Sequence, residues 1–378
     1  MKGKIILSLC ILILVVVFST TCSGAEKILF GMVAPMTGDS ASFGIQIRNG
    51  IQMAVDKINE SGGVNGKEFE FIVGDDVANP NQAVTIAQKF QAYDDMLFVL
   101  GHNNSGCSIA ALPTWEEVNM PLISPSNTMT IITTLGHKNY FRTAIDSDTV
   151  SVQLCKLAVI ELGLKNVAII WENTDYGRGM HDAVVKTIAE LGGRIVGDES
   201  YIPATDRDFS SQITKFKGAK ADVVILCSEY TAGALFTKQS RTLGFNAQII
   251  ASSGNCDPKY IELAGEAAEG VFTNTGFNPN DQRPKQLEFI NAYEALYNRK
   301  PGEWASNSYD SVYMAKKAIE MGGTTREKFM EVLHRPDFEY EGVGGLIKFD
   351  EFGDVKAKSI LYLIVENGRF VGYFPTKY

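Results

Sequence analysis

Twice along this chain, short apolar runs of β type alternate with amphipathic stretches of helical length, and few architectures accept that order. Residues 27–34 read as a buried strand. Residues 42–61 read as a helix: Ile45, Ile51, Met53, Ala54 and Ile58 share a stripe, and Gly62-Gly63 ends it. Strands follow over 68–74, 96–100 and 121–124, with a helix over 81–93. After an irregular segment, 127–147, the rhythm restarts. Helices over 150–162, 179–191, 209–217 and 232–243 alternate with strands over 167–171, 194–201, 222–227 and 248–251. Strands joined by helices of this length imply parallel sheets covered on both faces. Two such runs imply an α/β protein with two doubly wound lobes, each obeying the right-handed crossover rule. The tail adds helices over 284–298 and 304–321 and short strands over 345–349, 359–365 and 370–374. The simplest path has the chain crossing back to lobe one and later returning to lobe two.

The start of the chain has a different character. Lys2 and Lys4 precede an apolar run from Ile5 to Phe18, and small or polar residues from Ser19 to Ala25 follow, the order of a signal peptide over 1–25. The run is short for a bilayer span, which needs about 20 residues. Cleavage after Ala25 frees the protein; Cys22 offers lipoprotein anchoring as the less favoured alternative. The formal net charge of −9 argues against nucleic acid and anionic membranes as partners. Beyond the leader stand Cys107, Cys155, Cys227 and Cys256, with no C-x-x-C, and the four histidines lack metal-ligand spacing. No metal or cofactor is expected. Cys227 and Cys256 each follow a predicted strand, which leaves a bridge between them open; Cys107 and Cys155 are expected as buried free thiols.

In open parallel sheets ligands bind outside the C-terminal ends of strands. Four strand-to-helix loops there, 34–44, 101–108, 124–128 and 171–177, are rich in hydroxyl, amide and glycine residues. The second leads into a helix whose N-terminus can receive a carboxylate. Ser105, Ser126 and Thr128 could add hydroxyls, and Phe43, Tyr176 and Trp304 apolar walls, the mixture that small-ligand pockets need. The same Ser, Thr and Asn residues also serve as helix caps and turn formers, so no single loop decides the matter.

Taken in order, the segments 31–38, 50–59, 62–66, Asp75-Asp76, 121–126, Phe141-Arg142-Thr143, Asp175-Tyr176-Gly177 and 308–313 resemble the leucine–isoleucine–valine-binding proteins of bacterial branched-chain amino-acid transport systems. The resemblance implies a type I periplasmic-binding-protein fold, two Rossmann-like lobes joined by a three-crossover hinge. The expected divisions are 26–146 plus 277–343 for lobe one and 147–276 plus 344–378 for lobe two. It puts Ser105, Ser126 and Thr128 where the family holds an amino acid's carboxylate and part of its ammonium, and Phe43, Tyr176 and Trp304 at aromatic contacts. Ser253 stands where the family has its ammonium-pairing acid, and Glu229 where an aromatic residue is usual. Asn79 and Asn104 lie near the places of a cysteine pair in the leucine-binding members.

The function these features imply is extracytoplasmic capture of an amino acid, of branched-chain type, by hinge closure, with delivery by a monomeric protein to an ABC-transporter permease. A short amide or aromatic acid as ligand, or sensing for a receptor, are the alternatives. An enzyme is not expected. There is no G-x-S-x-G, no G-x-G-x-x-G opening a helix after the first strand and no phosphate-binding P-loop. His102 and Cys107 lie near each other in sequence, a nucleophile and base spacing, but roles in local turn and packing are expected of them.

Overall fold

A computed structural model describes residues 26–355 and 358–378; the leader and Cys22 fall outside them. The first half builds β1 (Lys27–Ala34), α1 (Ala41–Glu60), β2 (Glu68–Asp75), α2 (Pro80–Phe90), β3 (Met96–Gly101), α3 (Ser105–Glu117), β4 (Leu122–Ser124), the single turn α4 (Ile131–Thr134) and β5 (Tyr140–Arg142). These strands form one parallel sheet, order β2-β1-β3-β4-β5. Next come α5 (Ser147–Lys156), β6 (Asn166–Glu172), α6 (Asp175–Glu190), β7 (Arg194–Tyr201), α7 (Ser210–Gly218), β8 (Val223–Cys227), α8 (Tyr230–Thr242), β9 (Gln248–Ala251), α9 (Pro258–Ala264) and β10 (Phe272–Thr275). Strands β7-β6-β8-β9-β10 are parallel in that order, which repeats the winding of the first sheet.

The tail confirms the crossing path. Helices α10 (Pro284–Tyr297), α11 (Glu303–Glu320) and α12 (Arg326–Leu333) belong with the first sheet. A two-residue ribbon follows, β11 (Tyr340–Glu341) with β12 (Leu346–Ile347). The hairpin β13 (Leu361–Glu366) and β14 (Arg369–Tyr373) then adds antiparallel strands to the edge of the second sheet at β10. Thus the chain passes three times between two doubly wound α/β lobes.

Several sequence expectations need correction. The strand expected over 345–349 shrinks to Leu346–Ile347, because its apolar residues serve a local ribbon rather than a main sheet. The irregular segment 127–147 contains β5, three fully buried residues, too few for periodicity to register. The helix expected over 150–162 begins at Ser147 and ends in a wider π turn, Leu157–Glu161. All four described cysteines are free thiols, so no bridge joins Cys227 to Cys256.

Burial explains why the elements sit where they do. Phe30 of β1 stacks on Phe98 of β3, Phe69 of β2 meets Phe30 edge-on, and Phe329 of α12 closes the cluster at 5.2 Å from Phe98. Helices α1 and α11 approach so closely that a Cβ on Gly50 would lie 2.2 Å from the Ala305 carbonyl oxygen. Only glycine permits that contact, and it holds Phe43 and Trp304, one from each helix, 6.0 Å apart. The third crossing is fixed by a buried bidentate pair: Arg142 Nε and Nη2 donate to Asp354 at 3.0 and 2.5 Å.

Candidate functional site

Both sheets turn the C-terminal ends of their central strands toward one cleft, the position their winding favours for a ligand. There they bound a narrow cavity with about 30 Å³ of free interior. The first lobe contributes Phe43 from the opening turn of α1, Asn103 and Asn104 from the loop after β3, Ser105 from the start of α3, and Ser126 and Thr128 from the loop after β4. Trp304 reaches it from the start of α11. Across the cleft stand Tyr176 at the start of α6, Glu229 after β8, and Ser253 and Gly254 after β9. Every residue offered from the sequence as a ligand contact, and Asn104 beside them, therefore lines one space; Asn79 instead caps α2. Asn103 and Gly254 were not singled out: Asn103 lay inside a loop already marked, and Gly254 has no side chain to mark it.

Hydrogen bonds fix the first-lobe side. Ser124 Oγ donates to the His102 carbonyl at 2.8 Å and accepts from Asn127 N–H at 3.0 Å. Asn127 Nδ2 donates to the Asn103 carbonyl at 3.1 Å. These bonds tie the β3 and β4 loops together and aim Ser126 and Thr128 inward. Both hydroxyls are 95% buried, and neither has a hydrogen-bond partner. A buried unpaired hydroxyl costs about 1–3 kcal/mol, and both are free to bond a polar group placed in the cavity. Asn104 is the N-cap residue of α3, yet its side chain makes no capping bond. Its amide donates across the cleft to Glu229 Oε1 at 2.8 Å.

On the second-lobe side a close approach sets the geometry. A Cβ on Gly177 would fall 1.9 Å from the Glu172 carbonyl oxygen. Glycine there lets α6 start directly against the end of β6, which delivers Tyr176 into the cleft. Its hydroxyl donates to Ser252 Oγ at 2.9 Å, and Ser252 Oγ donates to the Ser228 carbonyl at 2.9 Å. Behind Glu229 lies a second acid, Glu172, which accepts from the Glu229 N–H at 3.1 Å and from Thr174 Oγ1 at 2.8 Å.

Burial pushes the Glu229 carboxyl up to about 8, and repulsion from Glu172 adds to it; hydrogen bonds from Ser40 and Asn104 act the other way. Burial likewise raises Glu172, against the bonds from Thr174, the Glu229 N–H and Tyr201. Ionising Glu229 in the empty site is therefore costly, and a cation beside it would lower that cost.

Its other chemistry is inert. His102 Nδ1 lies 2.7 Å from Asp76, and Nε2 accepts from Trp115 Nε1 at 3.3 Å, so both ring nitrogens are engaged. Burial, then the Asp76 charge, pushes the Cys107 thiol far up, so it has no thiolate character. Among the described residues no group of three His, Cys, Asp or Glu side chains could hold a metal ion.

Two doubly wound lobes, three crossings and a polar cleft between them define a type I solute-binding protein. Comparison with known proteins gives the family. The chain belongs to the periplasmic binding protein family, whose model matches residues 27–367. It is 31% identical over 341 residues to the leucine-, isoleucine-, valine-, threonine-, and alanine-binding protein of Pseudomonas aeruginosa, covering 90% of each chain. The leucine binding protein LivK of Thermotoga maritima superposes with a TM-score of 0.85 at 28% identity, over 92% of this chain and 98% of that one. LivJ of Streptococcus pneumoniae, solved with isoleucine, gives 0.84 at 26% identity, over 92% and 100%. Such relatives are solute-binding proteins rather than enzymes. Family membership implies an extracytoplasmic setting, and no helix among the described residues is long and apolar enough to cross a membrane.

Proposed function

We propose that this protein captures a free amino acid, of branched-chain type, by closing its two lobes over it, and presents the closed form to the permease of an ABC transporter. One observation carries the reading. Two unpaired buried hydroxyls, Ser126 Oγ and Thr128 Oγ1, share a single small cavity with an electrostatically strained acid, Glu229. An amino acid has an anionic and a cationic end, and it satisfies both sides at once.

In this scheme the carboxylate is received by Ser105, Ser126 and Thr128 at the N-terminal turn of α3, where the helix dipole favours an anion. The ammonium pairs with Glu229, whose carboxylate has lone pairs to spare beside the bonds from Ser40 and Asn104. Glu229 thereby takes the part of the acid for which Ser253 stands in this sequence. Phe43, Tyr176 and Trp304 wall the apolar side chain. Ligand meets the first lobe, then Tyr176 and Glu229 close over it; closing removes water and strengthens each charged bond. Ligand drives closure only to the extent that it binds the closed form better.

The names of relatives support a branched-chain ligand: the Pseudomonas protein is named for five small aliphatic or hydroxylated amino acids, and LivJ was solved with isoleucine. Calorimetric titration of the exported form with leucine, isoleucine, valine, threonine, alanine, benzoate and a short amide tests the reading. Saturable binding of one or more of the amino acids is expected. Binding of benzoate or the amide, with none of the amino acids, would refute it.

A further inference from the structure

Away from the cavity, Arg207 and Thr231 of the second lobe bond Asp39 of the first, and a buried polar contact at Asp257 also joins the lobes. Asp257 begins α9 in the second lobe and is completely buried. Its Oδ1 accepts from the Lys259 N–H of its own helix at 2.7 Å. Its Oδ2 accepts from Ser42 Oγ at 2.9 Å and Gln46 Nε2 at 2.6 Å, both on α1 of the first lobe. Arg299, between α10 and α11, holds Nη2 4.0 Å from Oδ1, and that nitrogen is buried with no hydrogen-bond partner. Beside them the Ser42 N–H donates to Tyr230 OH at 3.2 Å, and Phe43 meets the Tyr230 ring edge-on at 4.9 Å.

The carboxylate therefore caps α9 of one lobe and accepts from two side chains on α1 of the other. Burial lifts its carboxyl above the ordinary value, and the bonds from Lys259, Ser42 and Gln46 and the charge of Arg299 oppose that lift. None of Asp257, Gln46 and Arg299 lines the cavity. Their contact exists only when the lobes are together, since it joins α1 to α9.

We propose that Asp257, with Ser42, Gln46 and Arg299, is an interlobe clasp that stabilises the closed form without touching ligand, so that it scales affinity for every ligand alike and leaves selectivity unchanged. The inference rests on the closure mechanism proposed above. Apparent affinity scales with the population of the binding-competent state, so a residue that biases closure acts on all ligands by one factor. Asp257 is a positioning residue in this sense.

Two variants approach the clasp from opposite lobes. Asp257→Asn keeps a competent N-cap for α9, because Asn caps about as well as Asp. Gln46→Ala leaves α9 untouched. Each is expected to raise Kd roughly tenfold for two amino acids of different size, by the same factor for both. The double variant is expected to bind no more than about twofold more weakly than Asp257→Asn, since both remove one contact. Additive effects, a changed ratio between the two amino acids, or unchanged Kd values would overturn the clasp. A ligand-free arm separates this inference from the identity of the ligand. Spin labels on exposed residues of the two lobes, such as Lys89 and Lys186, should report longer or broader interlobe distances in both variants than in the unsubstituted protein. Identical distributions would overturn the clasp. Shifted distributions in a protein that binds no amino acid would uphold it and count only against the ligand.

Discussion

Replacing Glu229 by Gln separates charge from shape at the centre of the cleft. Glutamine keeps an oxygen that can accept from Asn104, which donates to Glu229 Oε1 at 2.8 Å, so the interlobe hydrogen bond survives. What disappears is the charge proposed to receive the ammonium. A hydrogen bond to a charged group contributes about 1.5–3 kcal/mol; at about 1.4 kcal/mol per decade this corresponds to a Kd roughly ten- to 150-fold weaker. The substitution also removes a carboxyl that is costly to ionise when closed. The ligand-free melting temperature should therefore hold or rise while the ligand-induced increase shrinks. Calorimetry with leucine, and with the matching carboxylic acid that lacks the amino group, distinguishes charge pairing from general damage. Leucine should lose affinity, and its deaminated analogue should not. An unchanged Kd for every amino acid would refute the ammonium role of Glu229.

Four further outcomes follow from the same structure. Thr128→Ala should weaken amino-acid binding about tenfold or more with no loss of ligand-free stability by thermal unfolding, because its hydroxyl has no protein partner to lose. Gly50→Val drives a methyl-bearing Cβ into the Ala305 carbonyl; denaturant titration should show a loss of about 1–3 kcal/mol or more, with weaker binding as Phe43 and Trp304 separate. Arg142→Met strips a buried carboxylate, Asp354, of its bidentate guanidinium and should cost about 3–5 kcal/mol by urea unfolding. Glu229 also predicts a pH effect. Its carboxyl moves from an ordinary 4.5 to about 8 on burial, so closing the empty cleft takes up a proton. The closed empty form is therefore favoured in full below about pH 4.5 and loses that support as pH rises through about 8. Interlobe distances of ligand-free protein should lengthen over that window, and Glu229→Gln should flatten the change.

Alternation of strand and helix carried most of the fold because the first ten strands pair in parallel and the central ones, such as β3 and β8, are unbroken apolar runs. Strands β5 and β10, of three and four buried residues, escaped because they are too short to have a period, and the short helices α9 and α12 escaped with them. Strand β12 was overestimated because apolar residues under a loop look like those in a sheet, and its two-residue partner β11 was not expected. Site residues were legible where the winding rule fixes which loop ends meet, and motif order narrowed the choice within each loop. Contacts between lobes were not. Ser42 and Asp257 lie 215 positions apart, and nothing in either local sequence distinguishes a clasp from a helix cap. Glu172 was hidden for a related reason: at the end of an apolar strand it looks like a strand terminus, and only burial beside Glu229 reveals the paired acids.

Small-angle X-ray scattering of the ligand-free protein, titrated to saturation with the amino acid that binds most tightly, addresses the underlying idea without labels or substitutions. A solute trapped between two hinged halves should lower the radius of gyration in step with calorimetric saturation. Full calorimetric binding at a constant radius, in a protein whose empty form is already open, would contradict capture by closure.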